Sequence, residues 1–191
     1  TNFKRAVTVP VAKEEDLAKA VEMINAAERP IIYAGGGVKI SGAEEELLKF
    51  AEKANIPVSE SLMARDCFPA THPLCTWMVG MHGTYASNMG ITESDLVIAI
   101  GARFSDRVYG DASKFANRAK ILHIDIDPAE INKNIDTDAS IVGDVKAVLN
   151  ALIPKIEKKD RAEWLKQINE WKKTYPDCYD KNPKDSINPK Y

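Results

Sequence analysis

Gly35-Gly36-Gly37 closes a short apolar run, and three glycines in a row let backbone N–H groups approach a ligand without Cβ obstruction, an arrangement suited to a phosphate or pyrophosphate. A plain strand-to-helix turn is the alternative, though it needs fewer glycines. The stretch Gly35 to Ile40 lacks the third glycine of G-x-G-x-x-G, so an ordinary NAD fingerprint is not present. Glu60 could be offered as a ribose-binding acid, and reads instead as a solvated carboxylate at a strand end. A second loop, Gly101-Ala102-Arg103-Phe104-Ser105-Asp106-Arg107-Val108, brings two guanidinium forks and a carboxylate to the end of the most apolar segment. Such forks suit phosphate oxygens or a flat ring, with Asp106 holding one of them; a surface ion pair is the competing account. In the third loop Asp125 can accept hydrogen bonds from ribose hydroxyls, whereas helix capping explains Asp127. Gly80-Met81-His82-Gly83 flanks a Met and a His with glycine, favouring close ligand approach through the backbone, and Ser61-Leu62-Met63 is of interest for its position alone.

These loops matter because of the elements that must carry them. Leu17, Val21 and Ile24 recur at helical spacing over Glu14 to Ala27, and Arg29-Pro30 stops that helix. Pro30 to Ala34 is a buried strand running into the first glycine loop. Ser41 and Glu44 have capping-box spacing ahead of a helix whose face is Leu47, Phe50, Ala51 and Ala54, and Pro57-Val58-Ser59 is the next strand. A further helix runs from about Tyr85. Leu96 to Ile100 before Gly101, and Ile121 to Asp125 before Pro128, repeat the pattern of an apolar strand followed by a loop. Asp127 with Pro128 and Glu130 predicts a short boxed helix, Ile141-Val142 an edge strand, and Val145, Val148, Leu149, Leu152 and Ile156 a helical face. Trp164, Ile168, Trp171 and Tyr175 line one more amphipathic helix. Uniformly apolar strands are buried on both sides. The expected class is therefore α/β, a doubly wound, mainly parallel Rossmann-like sheet with helices on both faces, whose ligands sit at the carboxyl ends of the strands.

Composition bounds the function. At 191 residues the chain makes one domain, expected over 1–176, with 177–191 a polar linker. With 26 Lys and Arg against 28 Asp and Glu, the net charge of −2 offers no field to draw in nucleic acid or an acidic membrane. The three cysteines, Cys67, Cys75 and Cys178, have no C-x-x-C spacing, and the three histidines, His72, His82 and His123, lie far apart, so neither a zinc cage nor a disulfide framework is indicated. No run reaches ~18 apolar residues and no apolar signal core opens the chain, so a cytoplasmic location is the expectation. A polar opening without Met and a linker-like ending read as a segment of something longer.

Taken together, Arg29 to Gly37, Gly80 to Gly83, Gly101 to Arg107 and His123 to Pro128 resemble the middle domain of thiamine-diphosphate-dependent enzymes, and most closely that of the acetolactate synthase (acetohydroxyacid synthase) family, over about residues 14 to 155. The resemblance implies a domain that binds FAD in a structural role, within enzymes that join two 2-oxo acids with loss of carbon dioxide on the route to branched-chain amino acids. It implies FAD contacts at Gly35, Gly36, Gly37, Ser61, Leu62, Met63, Gly80, Met81, His82, Gly83, Gly101, Ala102, Arg103, Asp125 and Ile126. Asp106, Arg107 and Val108 would lie nearer the flavin, and Asn132, Gly143 and Asp144 nearer the adenosine. Many members carry Asp-Asp where this chain has Ser105-Asp106. Thiamine diphosphate and magnesium belong, in such enzymes, to flanking amino- and carboxyl-terminal domains of a homo-oligomer, so no catalytic or metal-binding residue is expected here. The alternatives are a related decarboxylase or oxidase domain holding ADP or no nucleotide, a sirtuin-like NAD-dependent deacylase, whose cysteine pairs are absent, and a non-catalytic partner module.

Overall fold

The computed structural model of the chain describes residues 9–105, 108, 115–116 and 118–176. Among them, six parallel strands form one sheet. In chain order they are β1 (Pro30–Ala34), β2 (Val58–Glu60), β3 (Cys75–Met78), β4 (Leu96–Ile100), β5 (Lys120–Asp125) and β6 (Ala139–Val142), arranged in space as β3-β2-β1-β4-β5-β6. The helices are α1 (Glu14–Ala26), α2 (Gly36–Ile40), α3 (Glu44–Ala54), α4 (Tyr85–Glu93), α5 (Val145–Leu152) and α6 (Ala162–Thr174).

Every residue of β1 and of β4 is buried, as expected of central strands covered on both faces. Side chains alternate with period two, so the strands feed two separate cores. Ile32, Ile98, Leu122 and Ile124 pack with Leu17, Phe50, Val148 and Leu149 from α1, α3 and α5. On the opposite face Ile31, Tyr33, Val97, Ala99 and Ile121 pack with Ile91 of α4 and with Ala102 and Phe104. Each fully buried aliphatic side chain contributes about 1.5–3 kcal/mol, and both faces of the sheet are populated this way. Helix α6 adds to the second face, with Trp164 Nε1 donating to the Pro30 carbonyl at 2.9 Å.

Several local expectations need correcting. No residue pattern predicts β3: it has only four residues and follows Pro73, its register against β2 shifts between Val58 and Ser59, and Trp77 adopts φ +64. The capping box of Ser41 and Glu44 does not form. α3 starts from Ala43 with no side-chain cap, and the Ser41 hydroxyl turns back to the Val38 carbonyl at 3.0 Å, closing α2. Asp127 does cap, its carboxylate accepting from Ala129 N at 2.9 Å, but the turn Pro128–Glu130 is a 3-10 helix and Glu130 pairs with Lys133 instead of completing a box. Glu60 is not solvated: it is 1% exposed. The glycine loop also holds a short helix, α2, that the residue pattern does not predict, whereas α1, α4, α5, α6, β1, β2, β4, β5 and β6 stand about where the pattern places them, with β6 at the sheet edge.

Candidate functional site

Strand order reverses between β1 and β4, and in doubly wound sheets a ligand crevice opens there, outside the carboxyl ends of the strands. The first two candidate loops leave the sheet at this point and touch. Gly35 N donates to the Ile100 carbonyl at 2.8 Å and Gly37 N to the Gly101 carbonyl at 3.0 Å. A Cβ on Gly35 would stand 2.0 Å from the Gly101 oxygen, and one on Gly37 2.7 Å from the Gly101 Cα. Two of the three glycines are therefore required for backbone-to-backbone approach, and their N–H groups are engaged within the protein. Gly36 differs, since a Cβ there would meet only the Met63 residue, nearest at 3.1 Å from its Cβ. Its N–H, at the start of α2, is outside those two loop-to-loop bonds.

Beyond Gly101, Ala102 and Phe104 are each 2% exposed while Arg103 is exposed, so the Arg103 side chain faces outward between two that face in. Asp106 and Arg107 lie outside the described residues. Val108 packs against the second core. The segment after β2 begins with Ser61 N donating to the Ala34 carbonyl at 2.8 Å, then turns through a 3-10 helix, Leu62–Ala64, that leaves Leu62 71% and Met63 74% exposed.

Glu60 explains why that segment is ordered as it is. Its carboxylate accepts from Arg65 Nη1 at 3.0 Å, Phe68 N at 3.2 Å and Cys67 Sγ at 3.6 Å. Burial pushes its pKa up, against the opposing pull of the Phe68 N–H and the Arg65 charge. These bonds leave it no role as a ribose acceptor. Nothing in the local sequence marks it, because its partners come from the turn that it organises.

After β3 the chain makes a tight turn. Asn88 of α4 brackets Gly80, accepting from its N–H at 2.8 Å and donating to its carbonyl at 3.0 Å. Gly83 N donates to the Gly80 carbonyl at 2.9 Å, and a Cβ at Gly83 would fall 2.5 Å from the Met78 oxygen. The Gly80 and Gly83 N–H groups are thus occupied, contrary to a backbone-mediated contact through them. The turn offers instead the exposed side chains of Met81 and His82. Beneath it, the buried hydroxyls of Ser59, Thr76 and Ser87 bond one another at 2.7–3.2 Å and tie β2, β3 and α4 together.

At the end of β5, Asp125 is 7% exposed and its Oδ1 accepts from Asp127 N at 2.9 Å. Ile126 beside it is 46% exposed. Asn132 holds its own loop, its Oδ1 accepting from Thr137 N and Thr137 Oγ1, both at 2.8 Å. Gly143 N donates to the Asp125 carbonyl at 2.9 Å, and Asp144 caps α5 through Ala147 N at 3.0 Å. The described candidates thus follow β1 to β6 along one edge of the sheet. Those with side chains free for a ligand are Leu62, Met63, Met81, His82, Arg103 and Ile126. Large exposed apolar side chains and a cation along one edge have the chemistry to meet a flat, partly apolar anion. No group of three or more His, Cys, Asp or Glu side chains suited to a metal occurs among the described residues, and no helix among them is long and apolar enough to cross a membrane.

Residues 17–152 match the family model described as "Thiamine pyrophosphate enzyme, central domain". The chain is 57% identical over 160 residues to a probable acetolactate synthase large subunit of Methanocaldococcus jannaschii, covering 82% of this chain and 27% of that protein. It is 44% identical over 192 residues to the acetolactate synthase large subunit of Corynebacterium glutamicum, covering 98% and 30%. An acetolactate synthase of Mycobacterium bovis is 45% identical over 179 residues, covering 91% and 29%. The chain therefore spans less than a third of the length of these curated relatives.

Proposed function

The chain belongs to the family of thiamine pyrophosphate enzyme central domains, and on that premise we propose that it is the FAD-binding central domain of an acetolactate synthase large subunit. The whole enzyme would condense two 2-oxo acids with loss of carbon dioxide, for branched-chain amino-acid biosynthesis. Residues up to 176 would form this domain. Amino- and carboxyl-terminal domains would hold thiamine diphosphate and magnesium, in a homo-oligomer working in the cytoplasm. A sirtuin-like deacylase is set aside by the family match.

The observation that supports the FAD reading is the row of loops at the carboxyl ends of the strands: Leu62 and Met63 after β2, Met81 after β3 and Ile126 after β5 are exposed, as is Arg103 after β4 beside the strand-order reversal. FAD has the matching chemistry, two flat ring systems joined by an anionic pyrophosphate. Arg103 would engage the pyrophosphate, and the apolar side chains would cover ring surface at about 25 cal/mol per Å² removed from water. When bound, FAD would act as a structural group without passing electrons in the main reaction. This chain's residues would bind it, orient it and exclude water from it.

Titrating the chain with FAD, ADP and NAD while following tryptophan emission tests this. FAD should bind most tightly and quench part of the Trp77 emission, because Trp77 lies in β3 just before the Gly80 to Gly83 turn. ADP should bind more weakly with little quenching. Arg103→Ala should weaken FAD, whereas Arg118→Ala, which removes only a 3.0 Å pair with Glu93, should not. Equal affinity for FAD and ADP would favour an adenine-nucleotide domain of a related decarboxylase or oxidase. Absence of binding to either at millimolar concentration would overturn the ligand-site reading.

A further inference from the structure

Four consecutive carbonyls of the loop after β4 are held from outside the loop. The Gly101 oxygen accepts from Gly37 N at 3.0 Å. The Ala102 oxygen pairs with His123 Nε2 at 2.9 Å. The Arg103 and Phe104 oxygens share Asn134 Nδ2, at 3.2 and 3.0 Å. Backbone explains the first of these bonds. The other three depend on two side chains, one from β5 and one from the loop that follows it.

His123 is an unexpected residue for its place. It lies in the middle of β5, beside Ala99 of β4, and is 0% exposed. An aliphatic residue would suit a central strand better. A carbonyl oxygen can only accept, so Nε2 carries the proton and Nδ1 the lone pair. Nδ1 is buried without a hydrogen-bond partner among the described residues, a cost that a Val or Ile would not incur. Burial holds the imidazole below its ordinary pKa, although Asp125 Oδ2 stands 3.8 Å from Nε2 and the Asp125 and Glu130 charges pull the other way. The ring is therefore a neutral, single-tautomer donor aimed at Ala102. The Phe104 ring meets it edge-on at 5.1 Å, and Phe104 sits at φ +38, a conformation that persists only where its surroundings impose it. With Ala102 and Phe104 turned inward, Arg103 between them is turned out.

We propose that His123 and Asn134 are positioning residues for Arg103, forming a side-chain clamp on the carbonyls of Ala102, Arg103 and Phe104 that fixes the backbone from which the Arg103 side chain leaves the loop. The role rests on the reading of this edge as an FAD site, and neither side chain needs to touch the cofactor. Pre-organisation matters because a loop backbone already held in place leaves only the Arg103 side chain to be ordered on meeting a pyrophosphate.

The tautomer gives a test without any ligand. In the imidazole nitrogen spectrum of the 191-residue chain, His123 should be protonated at Nε2. An Nδ1–H tautomer would overturn the clamp. The Ala102 carbonyl carbon should shift in His123→Leu and keep its wild-type position in His123→Gln, whose side-chain amide can donate from nearly the same place. An unchanged shift in His123→Leu would equally overturn it. FAD affinity, measured well below each variant's melting midpoint, then tests the consequence. His123→Leu should weaken FAD about tenfold, because the buried Ala102 carbonyl loses its donor, Asn134→Asp should weaken it less, because the Arg103 and Phe104 carbonyls can turn to water, and His123→Gln should remain near wild type. In an Arg103→Ala background, His123→Leu should cost little more. Additive losses would show that His123 does not act through Arg103 and would overturn the positioning role. Failure of the wild-type chain to bind FAD would remove the cofactor reading, while the tautomer and carbonyl measurements would still decide whether the clamp exists.

Discussion

At the scale of single residues, types that were chosen for chemistry prove to have packing duties first. Gly35 and Gly37 stand out in the sequence, but the reason they are glycine is Gly101, which is far away in the chain and adjacent in space. Gly35→Ala places a methyl 2.0 Å from the Gly101 oxygen, a clash with backbone that side-chain rotation cannot relieve. We expect a loss of about 1–3 kcal/mol in urea unfolding, the usual range for overpacking, with FAD affinity falling as the two loops separate. Gly36→Ala meets only Met63 and should fold nearly as well, so equal losses for the two variants would contradict this account. Glu60 teaches the opposite lesson, since its role was hidden: burial and three partners are set by a turn whose shape the residue types do not announce. Its raised pKa has a measurable sign. The folded state holds the Glu60 proton more tightly than the unfolded chain, whose ordinary value is 4.5, so this stabilisation is complete below that value and is lost as pH rises through the folded one. Wild-type stability relative to Glu60→Gln should therefore decline as pH rises above 4.5. A difference independent of pH would mean that the Arg65 pair and the Phe68 N–H fully compensate burial.

At the scale of elements, periodicity located what was long and regular and missed what was short or held by distant side chains. β1 and β4 are legible because each is a five-residue apolar run buried throughout. β3 is not, because a four-residue strand with a shifted register and a left-handed Trp77 carries no alternation to detect. Helix α6 was visible as a stripe of aromatic residues, but the residue that anchors its start was not. Arg161, 3% exposed, sends Nη1 to the Ala54 carbonyl and Nη2 to the carbonyls of Ile24 and Ala27, at 2.9 and 3.2 Å. One guanidinium thus satisfies the carboxyl ends of α1 and α3 and pins α6 to both, and the negative ends of those helix dipoles favour its charge. Burial lowers its pKa, with Asp95 and Glu28 pulling it back up. Replacing Arg161 with Met keeps much of the volume and removes the side-chain donor of the Ala54 and Ile24 carbonyls, while the Ala27 carbonyl keeps Lys159 Nζ at 3.4 Å. The expected cost is about 2–4 kcal/mol in urea unfolding, and Arg161→Lys, which lacks the fork, should recover only part of it. A loss below that of an exposed substitution such as Lys166→Met would show that α6 is held by its aromatic residues alone.

At the scale of the whole molecule, the strand order β3-β2-β1-β4-β5-β6 turns separated sequence motifs into one edge. The parallel class and the carboxyl-end location of the loops were legible because buried apolar strands followed by glycine loops have few other arrangements. The neighbourhood of the Gly101 loop and the glycine loop was legible too, but the closeness of their backbones was not, since that depends on β1 and β4 pairing in the sheet. The same architecture limits what these 191 residues can do alone. Residues 17–152 account for a central domain, and the chain covers 27–30% of relatives named as acetolactate synthases or their large subunits. Among the described residues, the side chains exposed along this edge are those of Leu62, Met63, Met81, His82, Arg103 and Ile126, and its buried carboxylates, Glu60 and Asp125, are tied to neighbouring backbone N–H groups. Neither is placed to move a proton on a reacting carbon, where a general acid or base must come within hydrogen-bond reach. The 191-residue chain supplied with pyruvate, thiamine diphosphate, magnesium and FAD should therefore form no acetolactate above a no-protein control, while still binding FAD in the same buffer. Product together with FAD binding would mean that these residues carry the carbon–carbon chemistry themselves, and would overturn the division of labour proposed between this domain and its neighbours. Product without FAD binding would additionally move the cofactor away from this edge of the sheet.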